Sequence, residues 1–330
     1  MQKSSRIVLV VGFCVLILAF LLHIGLGSSN FTTPVEVLRE LFRGNLGDND
    51  ANTIVWNFRL PRAVQGVLVG AILGVSGASL QTLFRNQLAE PYIIGASSGA
   101  AIGAVGVSLT SLASVAFGLA IPVAGFVTGL LTLGLVTSLA RRRGVIETPT
   151  LLLAGVVIST MLSSLLSCIL LYSGEDQARV LRTLLGSLSE GFWLPIGLMA
   201  IVFFISYVLL YRSSQRLNAL SLGEDAAHSL GVNPARIRTL VLVCVTAMTS
   251  VTVGSVGIIG FVGLVAPHMA RRLVGVDLKA TLPLSALAGA LLLLFADTIA
   301  QRGAQGAGIP VGIVTSVLGA PVLLLLLKRR

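Results

Sequence analysis

The chain has 330 residues, of which 55% are hydrophobic and only 11% charged, where an ordinary soluble domain carries about 25% charged residues. With a mean hydropathy of +0.95, it has too little polar surface to cover one large soluble core, and it reads as a polytopic all-α membrane protein. The net charge of +10 comes from short basic clusters set between apolar runs; membrane topology asks for that distribution, and it counts against a nucleic-acid surface.

A spanning helix needs about 20 largely apolar residues. The first candidate, Ile7 to Gly27, follows Lys3 and Arg6. Its apolar core is too long for a signal peptide and no A-x-A-like cleavage site follows, so it is expected to remain as a span. An outer loop is expected over 28–60. Within it Thr33-Pro34-Val35-Glu36 opens a short amphipathic helix, with Thr as cap, Pro at the first position and Glu three residues after the cap. Val37, Leu38, Leu41 and Phe42 are expected to give that helix an apolar face lying on the outer surface.

The second span runs from Ala63 to Phe84, and Arg59 and Arg62 bracket Pro61 at its outer start. Both arginines should project from the first turn on nearly the same side. Two cations there oppose the helix dipole and lie on the face that positive charge avoids. Snorkelling to lipid headgroups or docking to carboxylates of an extracytoplasmic partner would each account for them. Tyr92 to Ala140 then gives 49 residues without a charge, enough for two passes with a turn near Thr110.

Spans over Leu151 to Leu171 and Phe192 to Leu210 follow, and then the longest cytoplasmic loop, 212–238. Here Ser221-Leu222-Gly223-Glu224-Asp225 leads into a helix through Leu230 that stops at Gly231, its two acids suiting the dipole. Between Arg236 and Arg272 the apolar part is only about 34 residues, with basic clusters at both ends. If both clusters are cytoplasmic, the chain goes out and returns, turning among Gly254, Gly257, Gly260 and Gly263. One limb must then be short or broken, which a membrane tolerates only where backbone is buried in protein or lines a cavity. Leu282 to Ala300 and Pro310 to Leu327 bring the total to about ten segments in one domain, 1–330. With both termini inside, 16 of the 23 Lys and Arg are cytoplasmic, the asymmetry expected of that orientation. Trp56, Trp193, Tyr172 and Tyr211 fall at segment ends, as interfacial aromatics should.

The chemistry of an enzyme is missing. There is no H-E-x-x-H, no G-x-S-x-G and no pair of intramembrane carboxylates; G-x-x-x-x-G-K-[ST] is also absent, so any use of ATP needs another subunit. Cys14, Cys168 and Cys244 lie singly in apolar runs without metal-type spacing. His23, His228 and His268 fall in separate segments; His268, at a cytoplasmic helix end, reads as a locally bonded interfacial residue, with a metal or proton role as the alternative. No catalytic residue, cofactor or metal site is expected. Asp297 is the one carboxylate expected inside a span, and an ionisable group there is a functional candidate. Gln301 and Arg302, one turn on, could satisfy it locally. Gly70/Gly74, Gly95/Gly99/Gly103 and Gly125/Gly129 have the spacing of close helix packing, with direct lining of a pathway as the alternative. So few buried acids argue for an external energy source rather than an ion gradient.

Several longer motifs carry a family resemblance. They include Arg59-Leu60-Pro61-Arg62, Gly70-Ala71-Ile72-Leu73-Gly74, Gln81, Arg85-Asn86-Gln87-Leu88-Ala89-Glu90-Pro91 and Gly95-Ala96-Ser97-Ser98-Gly99-Ala100. Leu220-Ser221-Leu222-Gly223-Glu224 with Leu230-Gly231-Val232, Gly260-Phe261-Val262-Gly263-Leu264-Val265-Ala266-Pro267-His268 with Arg271-Arg272, and Ile309-Pro310-Val311-Gly312-Ile313 continue the series. Collinear over essentially the whole chain, they resemble the FecCD-like permeases of ABC importers for iron–siderophores, haem and cobalamin. The resemblance implies a ten-helix subunit that pairs with a second permease subunit, as a homodimer. Two cytoplasmic ABC ATPase subunits and an extracytoplasmic substrate-binding protein complete the complex, in the cytoplasmic (inner) membrane of a bacterium or archaeon. It also implies that Arg59 and Arg62 meet acidic residues on the binding protein, and Arg302 is taken as the third docking candidate. Leu222, Gly223, Glu224 and the adjoining Asp225 would sit against the ATPases. Two positions depart from the pattern: Gln87 stands where Pro is common, and Gln301 where a third outer arginine is expected, with Arg302 next to it.

The cargo implied is a metal chelate, an iron(III)–siderophore first, with haem or cobalamin as alternatives. Gly95, Gly99, Gly260 and Asp297 are the candidate pathway or gating residues. The rival is a self-contained ion-coupled carrier using Asp297 and the broken segment near Gly254 to Gly263.

Overall fold

A computed structural model of the chain describes residues 3–26, 34–44, 50–114, 118–142, 145–188, 192–303 and 309–328. Among them the architecture is helical, apart from one antiparallel pairing of Arg141–Arg142 with Val145–Ile146. Two helices form the centre: α4 (Leu60–Leu83) and α12 (Pro234–Val256). Their apolar windows are 83% and 78% buried, against 11% for α1 (Lys3–Gly25) at the edge. A helix apolar on all sides and exposed has lipid, not water, as its natural solvent. α14 (Leu278–Arg302) and α13 (Val262–Val274) pack on α4; α5 (Ala96–Ser108), α6 (Ala120–Ala140) and α9 (Trp193–Arg212) pack on α12. α7 (Thr148–Tyr172) lies outside α5 and α6, and α15 (Val311–Lys328) lies against α14 and α13.

Seven helices among the described residues are long and apolar enough to cross a membrane, and α5, α13 and α15 complete the ten expected passes. The stretch from Tyr92 to Ala140 divides into α5 and α6, with Leu109 and Thr110 opening the turn, as the sequence required. Between Arg236 and Arg272 the short limb is α13. Its 13 residues rise about 20 Å, less than the ~30 Å hydrocarbon core. The break before it, 257–261, holds two residues with left-handed backbone, Gly257 (φ 78°) and Phe261 (φ 68°).

The glycine spacings serve close packing. A Cβ on Gly70 would lie 2.3 Å from the carbonyl oxygen of Gly289, and one on Gly74 would lie 2.1 Å from that of Ser285. Only glycine lets α4 and α14 approach backbone to backbone in this way. Gly125 does the same for α6 against the Gly254 backbone of α12, and Gly129 makes room for the Ser250 side chain.

Two outer-face expectations are corrected. Pro61 does not start its helix: α3 (Asp50–Ile54) and a π-helical turn (Val55–Arg59) precede α4 without interruption. The Leu60 N–H reaches back five residues to the Val55 carbonyl, and a wide turn absorbs the donor that Pro61 lacks. Arg59 and Arg62 therefore stand well inside a helix, and residues 50–60 are not loop. The amphipathic helix exists as α2 (Pro34–Arg43), with its Thr33 cap and the Leu38 side chain outside the described residues. Its face is rotated from the expected one, since Val37 and Glu40 are buried while Phe42 is 88% exposed. The cause is Glu40: its carboxylate accepts from Asn52 Nδ2 at 3.1 Å and its backbone carbonyl from Trp56 Nε1 at 3.3 Å, which pins that side of α2 to the chain below.

Candidate functional site: a buried polar network, a clasped helix break and a braced helix pair

The C-terminal ends of α1 and α14 and the N-terminal end of α4 meet at Asp297, which is 0% exposed. Arg62 donates to it through Nε and Nη2, both at 2.8 Å, in a bidentate pair. Gln301 Nε2 donates to Oδ2 at 2.8 Å from one turn further along α14. His23 Nε2 is also 2.8 Å from Oδ2, a contact that requires the proton on Nε2, because a bare ring nitrogen would repel the carboxylate. Asp297 is thus satisfied locally, as its surroundings allowed, but by Arg62, His23 and Gln301 rather than by Arg302. These bonds hold Asp297 in a buried polar network that joins α1, α4 and α14.

Of the three arginines expected to dock a partner, Arg302 is exposed. The Arg62 side chain keeps 21% exposure beside its carboxylate. Arg59 is 7% exposed and donates Nη1 to the Ile24 carbonyl at 3.0 Å, so it faces inward to α1. The sequence placed Arg59 and Arg62 on one side of a helix; the structure gives each an internal partner. His23 was missed as a member of this group. The only available signal was its depth, near the outer end of the first span.

The second arrangement was not anticipated. Glu90, in the loop after α4, accepts the backbone N–H of Phe261 at 2.8 Å. Tyr92 donates its hydroxyl to the Ile259 carbonyl at 2.7 Å and accepts the Ile259 N–H at 3.1 Å. These two side chains supply the hydrogen bonds that the break between α12 and α13 cannot make for itself, which is what allows non-helical backbone there. A nearby strap holds α13 to α4: Gln81 Nε2 donates to the Gly263 carbonyl at 3.1 Å, and Arg271 Nη2 donates to Gln81 Oε1. A Cβ on Gly260 would be in ordinary van der Waals contact with Glu90 Oε1 at 3.9 Å and Ser316 Oγ at 4.0 Å. Gly95 has φ +86° and opens α5. A Cβ on Gly99 would lie 2.0 Å from Thr132 Oγ1, so Gly99 lets α5 pack closely on α6. Glu90→Gln, which exchanges an anionic acceptor for a neutral one, is expected to cost about 1–2 kcal/mol. Faster hydrogen exchange at the Phe261 amide would register it, and unchanged exchange would show that the clasp is not made.

Within 212–238 the chain forms two short helices: α11 (Glu224–Ser229) is the helix expected after Gly223, and α10 (Ser214–Ser221) before it was not anticipated. Gly223, at φ +135°, makes the turn between them in a region that favours glycine. Glu224 accepts from Arg238 Nη2 of α12. Asn218 donates to Asp277 Oδ1 at 2.8 Å and accepts the Leu278 N–H at 3.2 Å, joining α10 to the start of α14. The pair is therefore braced to two membrane helices, while Leu222 is 72% and Leu230 64% exposed at its tip. Asp225 lies in the first turn of α11.

A cavity of about 780 Å³ opens among the N-terminal ends of α6 and α9, the C-terminal end of α12 and α8 (Gln177–Leu185), with Arg179 and Arg182 on its wall. Among the described residues there is no group of three or more His, Cys, Asp or Glu able to hold a metal ion.

Comparison with known proteins places these features in context. The model of the FecCD transport family matches residues 15–329. The cobalamin import system permease protein BtuC of Halobacterium salinarum is 40% identical over 280 residues, 85% of this chain and 74% of that one. The ferric enterobactin transport system permease protein FepD of Escherichia coli is 36% identical over 318 residues, 96% of this chain and 93% of that one. Among solved structures, a chain described as an inward-facing conformation of a transporter assigned to the metal-chelate ABC type superposes with a TM-score of 0.84 at 30% identity, covering 99% of this chain and 100% of that one. A match of this extent, over a ten-pass helical body with a clasped break and a braced pair of short helices, shows that the chain belongs to the FecCD transport family.

Proposed function

We propose that this chain is the membrane-spanning subunit of a binding-protein-dependent ABC importer for a metal chelate, driven by ATP hydrolysis on separate subunits. The observation that carries the reading is the α10–α11 pair. It presents Leu222 and Leu230 outward while Glu224, Asn218 and Asp277 tie it to α12 and α14. A push on Leu222, Gly223, Glu224 or Asp225 from a cytoplasmic ATPase would therefore reach the central helix α12 and the α13 break with little loss. Both termini would be cytoplasmic.

The exposed face of α7 supports a second permease subunit, taken here as a second copy. Thr160, Ser163, Ser164 and Ser167 stand exposed on it, a hydroxyl-bearing stripe suited to a path between two copies and poorly suited to lipid. Gly95 and Gly260 would serve at the edge of that path. On the outer face, Arg302 and the open edge of Arg62 would meet acidic groups of a substrate-binding protein, with Arg59 holding α1 behind them. For the cargo, an iron(III)–siderophore leads and haem or cobalamin follow; the relatives' names include ferric enterobactin and cobalamin. The buried, fully engaged Asp297 counts against the ion-coupled carrier, which would need that carboxylate free.

Leu222→Arg is the direct test, since it changes an exposed tip and leaves the bracing intact. The expected result is loss of the co-purifying ATPase, with the variant chain still eluting as a single folded species. An ATPase retained at the wild-type level would remove α10–α11 as the coupling element.

A further inference from the structure

The exposed face of α6 differs from that of α7. Val123, Val127, Leu131, Leu135 and Leu139, four residues apart, form a continuous apolar strip, the mark of a helix face turned to hydrocarbon. Beside that strip a groove of about 340 Å³ runs between α6 and α12, with Leu130, Gly134, Thr137 and Arg141 on one wall and Thr239 and Val243 on the other. Leu130 and Arg141 are 11 residues apart, so the groove is about 16 Å long, close to half of the ~30 Å hydrocarbon core. It therefore spans one leaflet, with its charged end at a membrane surface.

Two of the hydroxyls lining the groove are already satisfied: Thr137 Oγ1 donates to the Leu133 carbonyl at 2.8 Å and Ser138 Oγ to the Leu135 carbonyl at 2.7 Å. The unmet demand is at the end. Arg141 is exposed and its guanidinium has no hydrogen-bond or carboxylate partner among the described residues. Arg141 is held where the Arg141–Arg142 strand pairs with Val145–Ile146, and Glu147 beyond that hairpin already accepts from Thr150 Oγ1 at 3.1 Å. Arg236 shares the face of α12 that carries Thr239 and Val243. It lies one turn nearer the membrane surface, and its side chain is likewise without a carboxylate partner among the described residues.

We infer that the groove between α6 and α12 is a binding site for an anionic phospholipid, with one acyl chain along Leu130, Gly134 and Val243 and the phosphate on Arg141 and Arg236. A guanidinium at headgroup level matches a phosphate through paired N–H donors, and basic residues at that level favour anionic over zwitterionic lipid. Gly134 keeps the groove open, since nothing lies within 4 Å of a Cβ built there.

Native mass spectrometry of the full-length chain in detergent, with added phosphatidylglycerol or phosphatidylcholine of identical acyl chains, tests this site. The wild type should retain phosphatidylglycerol roughly fivefold more than phosphatidylcholine. Arg141→Gln with Arg236→Gln should bring the two to parity. Arg6→Gln with Arg216→Gln, which removes two other exposed cations, should leave the preference intact. Gly134→Phe, which fills the groove, should lower retention of both lipids; if that variant does not fold, the charge variants still decide the matter. Equal retention of the two lipids by the wild type would overturn the assignment. So would an unchanged preference after Arg141→Gln with Arg236→Gln, or an equal loss in the distant double variant.

Discussion

Asp297→Ala is expected to destabilise the protein by about 3–5 kcal/mol, the cost of leaving a buried charge without its partner. The loss falls on Arg62, which donates twice to Asp297, and on His23 and Gln301, which converge on the same oxygen. These residues come from α1, α4 and α14, so the variant should loosen the outer end of the bundle and not only one side chain. Combining it with Arg62→Leu should cost less than the sum of the single changes, with a coupling of about 1–3 kcal/mol. Thermal unfolding in detergent, followed as loss of the monodisperse species, measures both quantities. Additive single effects would show that Arg62 and Asp297 do not act as a pair.

Gly77→Ala should be the most damaging methyl group that can be added to the chain. The new Cβ would lie 1.9 Å from the Gly263 carbonyl oxygen, with the Gly263 Cα 3.0 Å away. The obstruction is backbone, which cannot rotate aside. α13 would have to move off α4, and Gln81 and Arg271 would lose their positions on Gly263 and each other. Overpacking of this kind costs typically about 1–3 kcal/mol and more where relief needs a helix shift. Gly197→Ala in α9 is the control, because nothing lies within 4 Å of a Cβ there and alanine is the better helix former by about 1 kcal/mol. The contrast is read as expression of folded protein and as unfolding temperature. Equal stability of the two variants would mean that α4 and α13 are not in backbone contact.

The membrane architecture was legible because hydrophobic length and basic flanks are one-dimensional signals. Even the short limb of the out-and-back pair was, since the residues between Arg236 and Arg272 are too few for two full spans. Gly223 and the helix that follows it were legible for a similar local reason, whereas α10 before them was not. What the sequence hid were contacts between residues far apart in the chain. His23 and Asp297 are separated by 274 positions, and Glu90 and Phe261 by 171; no periodicity announces either. The misplaced start at Pro61 has another cause. A proline reads as a first-turn residue, and only the π-helical turn before it lets the helix continue upstream. Likewise α2 turned on a buried Glu40 where amphipathic patterning asked for Phe42, because a hydrogen bond to Asn52 outweighed exposure of one aromatic ring.

The most direct measurement is transport by proteoliposomes holding this chain with its co-purified ATPase. Substrate-binding protein and, in turn, a radiolabelled ferric siderophore, haemin or cobalamin are supplied outside. The predicted result is accumulation of one chelate that requires ATP on the ATPase side and persists when ionophores collapse all ion gradients. Accumulation that continues without ATP and disappears with the gradients would contradict the importer and establish the ion-coupled carrier in its place.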